Sequence, residues 1–155
     1  MNLIFRMLWV IVRSLFMERM DKGNYKSSLA LRVLPNDIDI NLHMNNGRYL
    51  TICDLNRVDW FARSGLLKAM FKRGWIPVIA EHTMTYKKPL DIFQRYVVKL
   101  EVMSWDEKYF YMTHTFVSGD RVVAEGTSKG CVYERGVGVV SSERAFAAVE
   151  QDRSK

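Results

Sequence analysis

Residues 37–49 read Asp-Ile-Asp-Ile-Asn-Leu-His-Met-Asn-Asn-Gly-Arg-Tyr. Asp37, Asp39, Asn41 and His43 alternate, and Asn45, Asn46, Gly47, Arg48 and Tyr49 follow at once. In an extended segment, residues two apart point to the same side, so Asp39, Asn41 and His43 are expected to project together. A carboxylate, an amide and an imidazole would then converge just ahead of a helix, whose first turn offers free N–H groups and a partial positive charge. Such a set can polarise a carbonyl at the helix end while the carboxylate activates water or attacks the carbon itself. The plainer alternative is a capped polar loop whose Asp and Asn side chains satisfy its own backbone.

The helix that must present this loop is predicted over residues 47–67, with Asn45 or Asn46 as its cap. Leu50, Ile52, Cys53, Leu55, Val58, Trp60 and Phe61 occur nearly all round it, so burial on more than one side is expected. Asp59 and Arg63, four apart, can pair. Residues 68–73 read as a basic turn. Strands are predicted over residues 27–34, 76–87, 94–103, 108–117 and 121–133, with Ser118-Gly119-Asp120 as the hairpin turn before the last. Ala124, Gly126, Ser128 and Gly130 form a face of small residues on that strand, expected to let the bulky helix approach closely. One strand, one buried helix and four further strands make an α+β domain, a five-stranded antiparallel sheet wrapped around a long central helix. The expected organisation is an N-terminal helix at 1–22, the domain at 23–140, and a short helix or frayed tail at 141–155.

Residues 3–20 are strongly apolar but interrupted by Arg6 and Arg13. The run is too broken for a spanning helix, and no small-residue cleavage site follows it as a signal peptide requires. It reads as an amphipathic helix with both arginines on one edge. Two placements are open: on a membrane surface, with Trp9 at the interface and the arginines on lipid phosphates, or packed on its own domain or a partner subunit.

The 155 residues carry 23 basic and 17 acidic side chains, a net charge of +6 that suits an anionic ligand or surface. A content of 48% hydrophobic and 12% aromatic residues excludes a disordered chain. Cys53 and Cys131 are too few for a disulfide scaffold or a multi-Cys zinc site and read as reduced core residues of a cytoplasmic protein. His82 and His114 lie mid-strand between apolar neighbours and read as satisfied core or channel-lining residues. Metal-ligand spacings, G-x-S-x-G, Walker and G-x-G-x-x-G motifs are absent, so no metal site is expected and serine hydrolase, P-loop and Rossmann chemistry are disfavoured. The basic residues are scattered rather than striped, which argues against nucleic acid as a partner.

The motif D-x-D-x-N-x-H-M-N-N-G-R-Y, followed by a long helix and an antiparallel run, resembles the hotdog-fold thioesterases. Within them it is similar to the thioesterase superfamily member 6-like group of the 4-hydroxybenzoyl-CoA thioesterase-like superfamily. The resemblance covers roughly residues 26–133. It implies the hotdog fold, hydrolysis of an acyl-CoA or acyl-carrier thioester, and no cofactor beyond the coenzyme A of the substrate. It also implies a homodimer or dimer of dimers, paired edge to edge with the ligand channel between subunits.

In the bacterial 4-hydroxybenzoyl-type enzymes an Asp in the loop before the central helix is the catalytic carboxylate, and that position falls on Asp39. Plant acyl-carrier-protein thioesterases carry D-x-N-x-H there, matching Asp39, Asn41 and His43. The resemblance therefore implies those three as catalytic, with Asn45, Asn46, Gly47, Arg48 and Tyr49 of the helix start binding substrate. Lys68, Lys72, Arg73, Lys87 and Lys88 are either phosphate contacts for coenzyme A or a solvated surface. The chain departs from the bacterial pattern at Ile40-Asn41-Leu42, where a glycine-containing turn is usual. It also lacks a clear match to a further acidic residue of the plant type, Glu81 being the nearest. The alternative function is a non-catalytic acyl-binding or membrane-associated protein on the same shell.

Overall fold

A computed structural model describes residues 3–21 and 23–154. The central helix, α2 (Asn46–Ser64), starts where the Asn45 side-chain oxygen accepts a hydrogen bond from the Gly47 N–H at 2.8 Å. It stops at Gly65, whose φ of 90° is a left-handed conformation that side chains resist. The basic turn expected next is instead a second helix, α3 (Leu66–Arg73). Leu66, Ala69 and Met70 recur at helical spacing and are buried, so packing outweighs the charge pattern there.

The first strand is β1 (Lys26–Arg32), and β2 (Trp75–Tyr86), β3 (Arg95–Trp105), β4 (Phe110–Ser118) and β5 (Arg121–Glu134) follow the helices. Their order in space is β1-β3-β4-β5-β2, each neighbour antiparallel. This curled sheet around α2 is the expected hotdog arrangement. The sequence reading missed a three-residue strand, β6 (Gly138–Val140), which also pairs with β5. The tail is a full helix, α4 (Ser142–Arg153), capped by the Ser141 hydroxyl. Two apolar clusters fill the interior. One surrounds the N-terminal half of α2 through Tyr49, Ile52, Leu55 and Phe116. The other joins its C-terminal half, through Trp60 and Phe61, to α3 and α4.

The small-residue face of β5 serves a neighbour other than the expected one. A Cβ added at Gly126 would lie 2.0 Å from the backbone oxygen of Thr83 in β2. At Gly130 it would meet Ile79 of β2 at 3.0 Å and Met112 of β4 at 3.3 Å. The glycines thus admit adjacent strands rather than the helix, with a register shift between Ile79 and Glu81.

The N-terminal helix α1 (Leu3–Leu15) packs on α2 by the edge that carries its polar residues. Arg6, Val10 and Ser14, spaced four apart, are its buried residues. Arg6 forms hydrogen bonds of 3.0 and 2.5 Å to the two oxygens of Asp37. Ser14 donates to Asp59 at 2.7 Å, and Arg13 lies 3.3 Å from the same carboxylate. Arg63 also reaches Asp59 at 3.3 Å, the expected pair within α2. Arg6 and Arg13 therefore neutralise buried carboxylates rather than lie free to meet lipid phosphates. Ile4, Phe5, Leu8, Trp9, Val12, Leu15 and Phe16 form the exposed face.

Candidate active site

The loop ahead of α2 folds back on itself. Ile38 bridges to Met44, the Asp39 N–H donates to the His43 carbonyl, and the Leu42 N–H donates to the Asp39 carbonyl, both at 3.0 Å. Leu42 has a φ of 61°, and the Asp39 side chain accepts from the Asn41 N–H at 2.8 Å. The extended segment expected for Asp39, Asn41 and His43 is thus a tight turn, because backbone hydrogen bonds across five residues satisfy more groups than a solvated strand would. The convergence survives the change of geometry. Asp39, Asn41 and His43 line one cleft of about 320 Å³ together with Met44, Asn46 and Tyr49 of the helix start. Its opposite wall is Tyr86, Lys87, Lys88 and Pro89 at the end of β2.

Two long-range ties hold the turn. The Met44 N–H donates to the Leu90 carbonyl at 2.8 Å, and His43 Nε2 lies 3.3 Å from Asp91. Beneath it, Asp37 is buried: the Leu34 N–H donates to its carboxylate at 2.9 Å, and Arg48 lies 3.3 Å from it. The Asn45 N–H donates to the Asp37 carbonyl at 2.8 Å.

The five residues expected to bind substrate have different roles. Asn46 and Tyr49 line the cleft. Asn45 caps the helix with the Gly47 N–H, so both are engaged with each other. Arg48 turns away, donating to the Asn36 carbonyl at 2.9 Å and pairing with Asp37. Tyr49 is buried, its ring 5.1 Å from that of Tyr86, and burial, with Tyr86 adding, pushes its hydroxyl up to about 12. Tyr86 donates to the Asn46 carbonyl at 2.9 Å, tying β2 to the helix start. Tyr86 went unnoticed in the sequence because nothing in an alternating strand marks which residue meets a helix end.

A second polar group lies deeper along α2. Cys53, His82 and His114, on α2, β2 and β4, bring their sulfur and ring nitrogens within 4.8 Å of one another. His114 shares a 2.7 Å hydrogen bond with Ser128 through Nε2, and Arg57 reaches His82 Nδ1 at 3.2 Å. Burial, then Arg57 and His82, push the His114 imidazole down to about 3. Burial, then Arg57, lower His82, while burial raises the Cys53 thiol to about 12. The expectation of satisfied core histidines holds for only one nitrogen of each ring: His82 Nε2 and His114 Nδ1 are buried without a protein hydrogen-bond partner among the described residues. Three elements assemble this group, so no local spacing reveals it.

The cleft can hold a carbonyl against the positive end of α2 with a carboxylate alongside. Comparison with known proteins agrees with the architecture. The chain is 34% identical over 113 residues to Protein THEM6 of Danio rerio, covering 73% of this chain and 56% of that protein. It spans about half the length of the curated relatives it matches. Among solved structures, the YbaW probable thioesterase from Escherichia coli superposes with a TM-score of 0.72 at 16% identity, covering 83% of this chain and 99% of that one. The hypothetical protein SAV2348 from Staphylococcus aureus, solved in complex with CoA, gives 0.70 at 16% identity, covering 88% and 87%. These two likenesses show the fold. The profile of the Thioesterase-like superfamily matches residues 33–148, from the end of β1 through most of α4, and the chain belongs to that superfamily.

Proposed function

We propose that this chain hydrolyses acyl-CoA thioesters at the cleft between the Asp39 turn and the start of α2. The observation that carries the reading is the meeting of Asp39, Asn41 and His43 with Asn46 in one cleft, within a thioesterase-like chain. The thioester carbonyl sits over the helix start, where the dipole stabilises the oxyanion that develops. Asp39 either takes a proton from water, whose oxygen then attacks the carbonyl carbon, or attacks that carbon itself to form an anhydride that water opens. Both routes break the C–S bond and release the free acid and the CoA thiol. Asn41 and His43 orient water or substrate. Lys88 at the rim supplies a charge for the CoA phosphates, while Lys87 lies 2.7 Å from Glu125. The edge of β2 that pairs with no strand among the described residues receives a second copy of the chain, continuing the sheet. The test is release of free CoA thiol from a panel of acyl-CoAs, comparing the full chain with Asp39→Asn. A loss of at least about 100-fold in kcat is expected from removing one catalytic group, and turnover at the wild-type rate would remove Asp39 from the mechanism.

The exposed face of α1 favours a further element of this reading, attachment to an anionic membrane surface. Seven large apolar side chains there face outward, beyond what a bare surface usually carries. Arg32, Arg95 and Lys99 line a groove of about 720 Å³ with Trp9, placing cations beside the apolar face. No helix among the described residues is long and apolar enough to cross a membrane. Co-sedimentation of the full chain with vesicles containing phosphatidylserine is expected, and Leu8→Ser with Phe5→Ser should abolish it. Undiminished sedimentation of that double variant would remove α1 from the contact.

A further inference from the structure

The central helix and β2 present facing stripes that run inward from the cleft. On α2, Tyr49, Cys53 and Arg57 follow at four-residue spacing and share one side. On β2, Tyr86, Met84 and His82 alternate onto one face. The stripes meet at both ends, Tyr49 against Tyr86 at 5.1 Å between rings and Arg57 against His82 at 3.2 Å. At 1.5 Å per residue, Cys53 lies about 10 Å along the helix from Asn46, where the thioester carbonyl is placed. Met84, between Tyr86 and His82 on this face, packs partly buried on the cluster that holds Tyr49 and Cys53, and its unbranched side chain can change rotamer.

The polar groups at the inner end are oriented. Arg57 is always charged and has only donors, so His82 Nδ1 accepts from it and the His82 proton resides on Nε2. That Nε2–H has no protein acceptor among the described residues, and neither does the buried Nε–H of Arg57. His114 Nδ1, on a side chain with no exposure, is equally unpartnered. A buried donor left unsatisfied is costly and calls for a partner, an ordered water or a ligand atom, and here three such groups meet at one place. The Cys-His-His composition suggests a metal at first sight. However, ligation by neutral His82 through Nε2 requires its proton on Nδ1, where the Arg57 donor stands, and the guanidinium charge opposes a cation.

We propose that Cys53, His82, His114 and Arg57 form a recognition site for an oxygen at the far end of the acyl group, so that the preferred substrates are oxygen-bearing acyl thioesters rather than plain alkyl ones. The proposal rests on the thioesterase reading and adds the substrate class to it. The oxygen, a hydroxyl or a carboxylate, accepts from His82 Nε2–H. A site built to hydrogen-bond such a group discriminates strongly against the analogue that lacks it, whose entry leaves the buried donor unpaired.

The test compares octanoyl-CoA with its ω-hydroxy and ω-carboxy derivatives, as hydrolysis by the full chain and as calorimetric binding of the matching non-hydrolysable thioethers. At least about tenfold preference for an oxygenated member is expected in kcat/KM and in Kd. In His82→Leu that ratio should fall to about one. If this variant does not fold, the wild-type ratios decide. Hydrolysis of all three at equal rates would overturn the oxygen site and leave the thioesterase reading standing. Preferential binding without hydrolysis of any would overturn the hydrolase and leave the oxygen site standing. Stoichiometric zinc in the purified full chain, lost in His82→Leu, would overturn the proposal in favour of a cation site.

Discussion

Asp37 and Asp39 stand two residues apart in one loop and live in opposite surroundings. Asp37 is 1% exposed, and its carboxylate meets Arg6 of α1, Arg48 of α2 and the backbone N–H of Leu34. Asp39 lies on the cleft wall, where its side chain accepts from the Asn41 N–H two residues on. A carboxylate gripped by two guanidiniums is committed to holding elements together, and its charge is spent on desolvated partners. A carboxylate on a cleft wall, held by one backbone donor, keeps an oxygen for a reacting molecule. Residue type and loop position therefore do not separate these two carboxylates; the number of buried partners does. The same division runs through α1, whose charged edge faces inward while its apolar face lies open.

Substitutions that exchange these surroundings test the division. The largest effect is expected from Asp37→Asn, which keeps the shape but leaves Arg6 buried without a counter-charge. Breaking one side of a buried pair costs about 3–5 kcal/mol, so a large fall in the urea midpoint is expected. An unchanged midpoint would mean that α1 is not anchored through this contact. Asp39→Asn should show the reverse: activity down at least about 100-fold, equivalent to about 2.7 kcal/mol of barrier, with stability within about 0.5 kcal/mol of wild type. A stability loss as large as that of Asp37→Asn would erase the distinction between the two. The smallest effect belongs to Arg48→Ala, which should cost about 1 kcal/mol of stability and leave KM for acyl-CoA unchanged, since Arg48 faces Asp37 rather than the cleft. A raised KM with an unchanged melting temperature would return Arg48 to substrate binding.

Much of the fold was legible because its periodicities are local. The helix with apolar residues all round, and the strands with alternating patterns, stand close to their expected bounds. Two expectations about the elements failed because packing partners distant in sequence decided them. Residues 68–73 read as a basic turn because the helical repeat of α3 is only two turns long, yet burial of Leu66, Ala69 and Met70 suffices to hold the helix. The small face of β5 was assigned to the nearest bulky element, whereas a strand neighbour, set by register, occupies it.

The candidate site divides along the same line. The sequence by itself determined the motif, its place before a capped helix, and the family to which the chain belongs, because these depend on residues adjacent in the chain. It also placed Asp39, Asn41 and His43 together, although through an extended geometry that the backbone does not adopt. Only the tertiary structure decided that Arg48 serves Asp37, that Tyr86 closes the cleft, and that α1 turns its arginines inward. Only there do Cys53, His82 and His114, 29 and 32 residues apart in sequence, become one group. The physical reason is that a hydrogen bond or an ion pair acts over a few ångströms of space, whereas periodicity acts along the chain. Which donor finds which acceptor is settled by sheet order and helix packing, not by residue type alone.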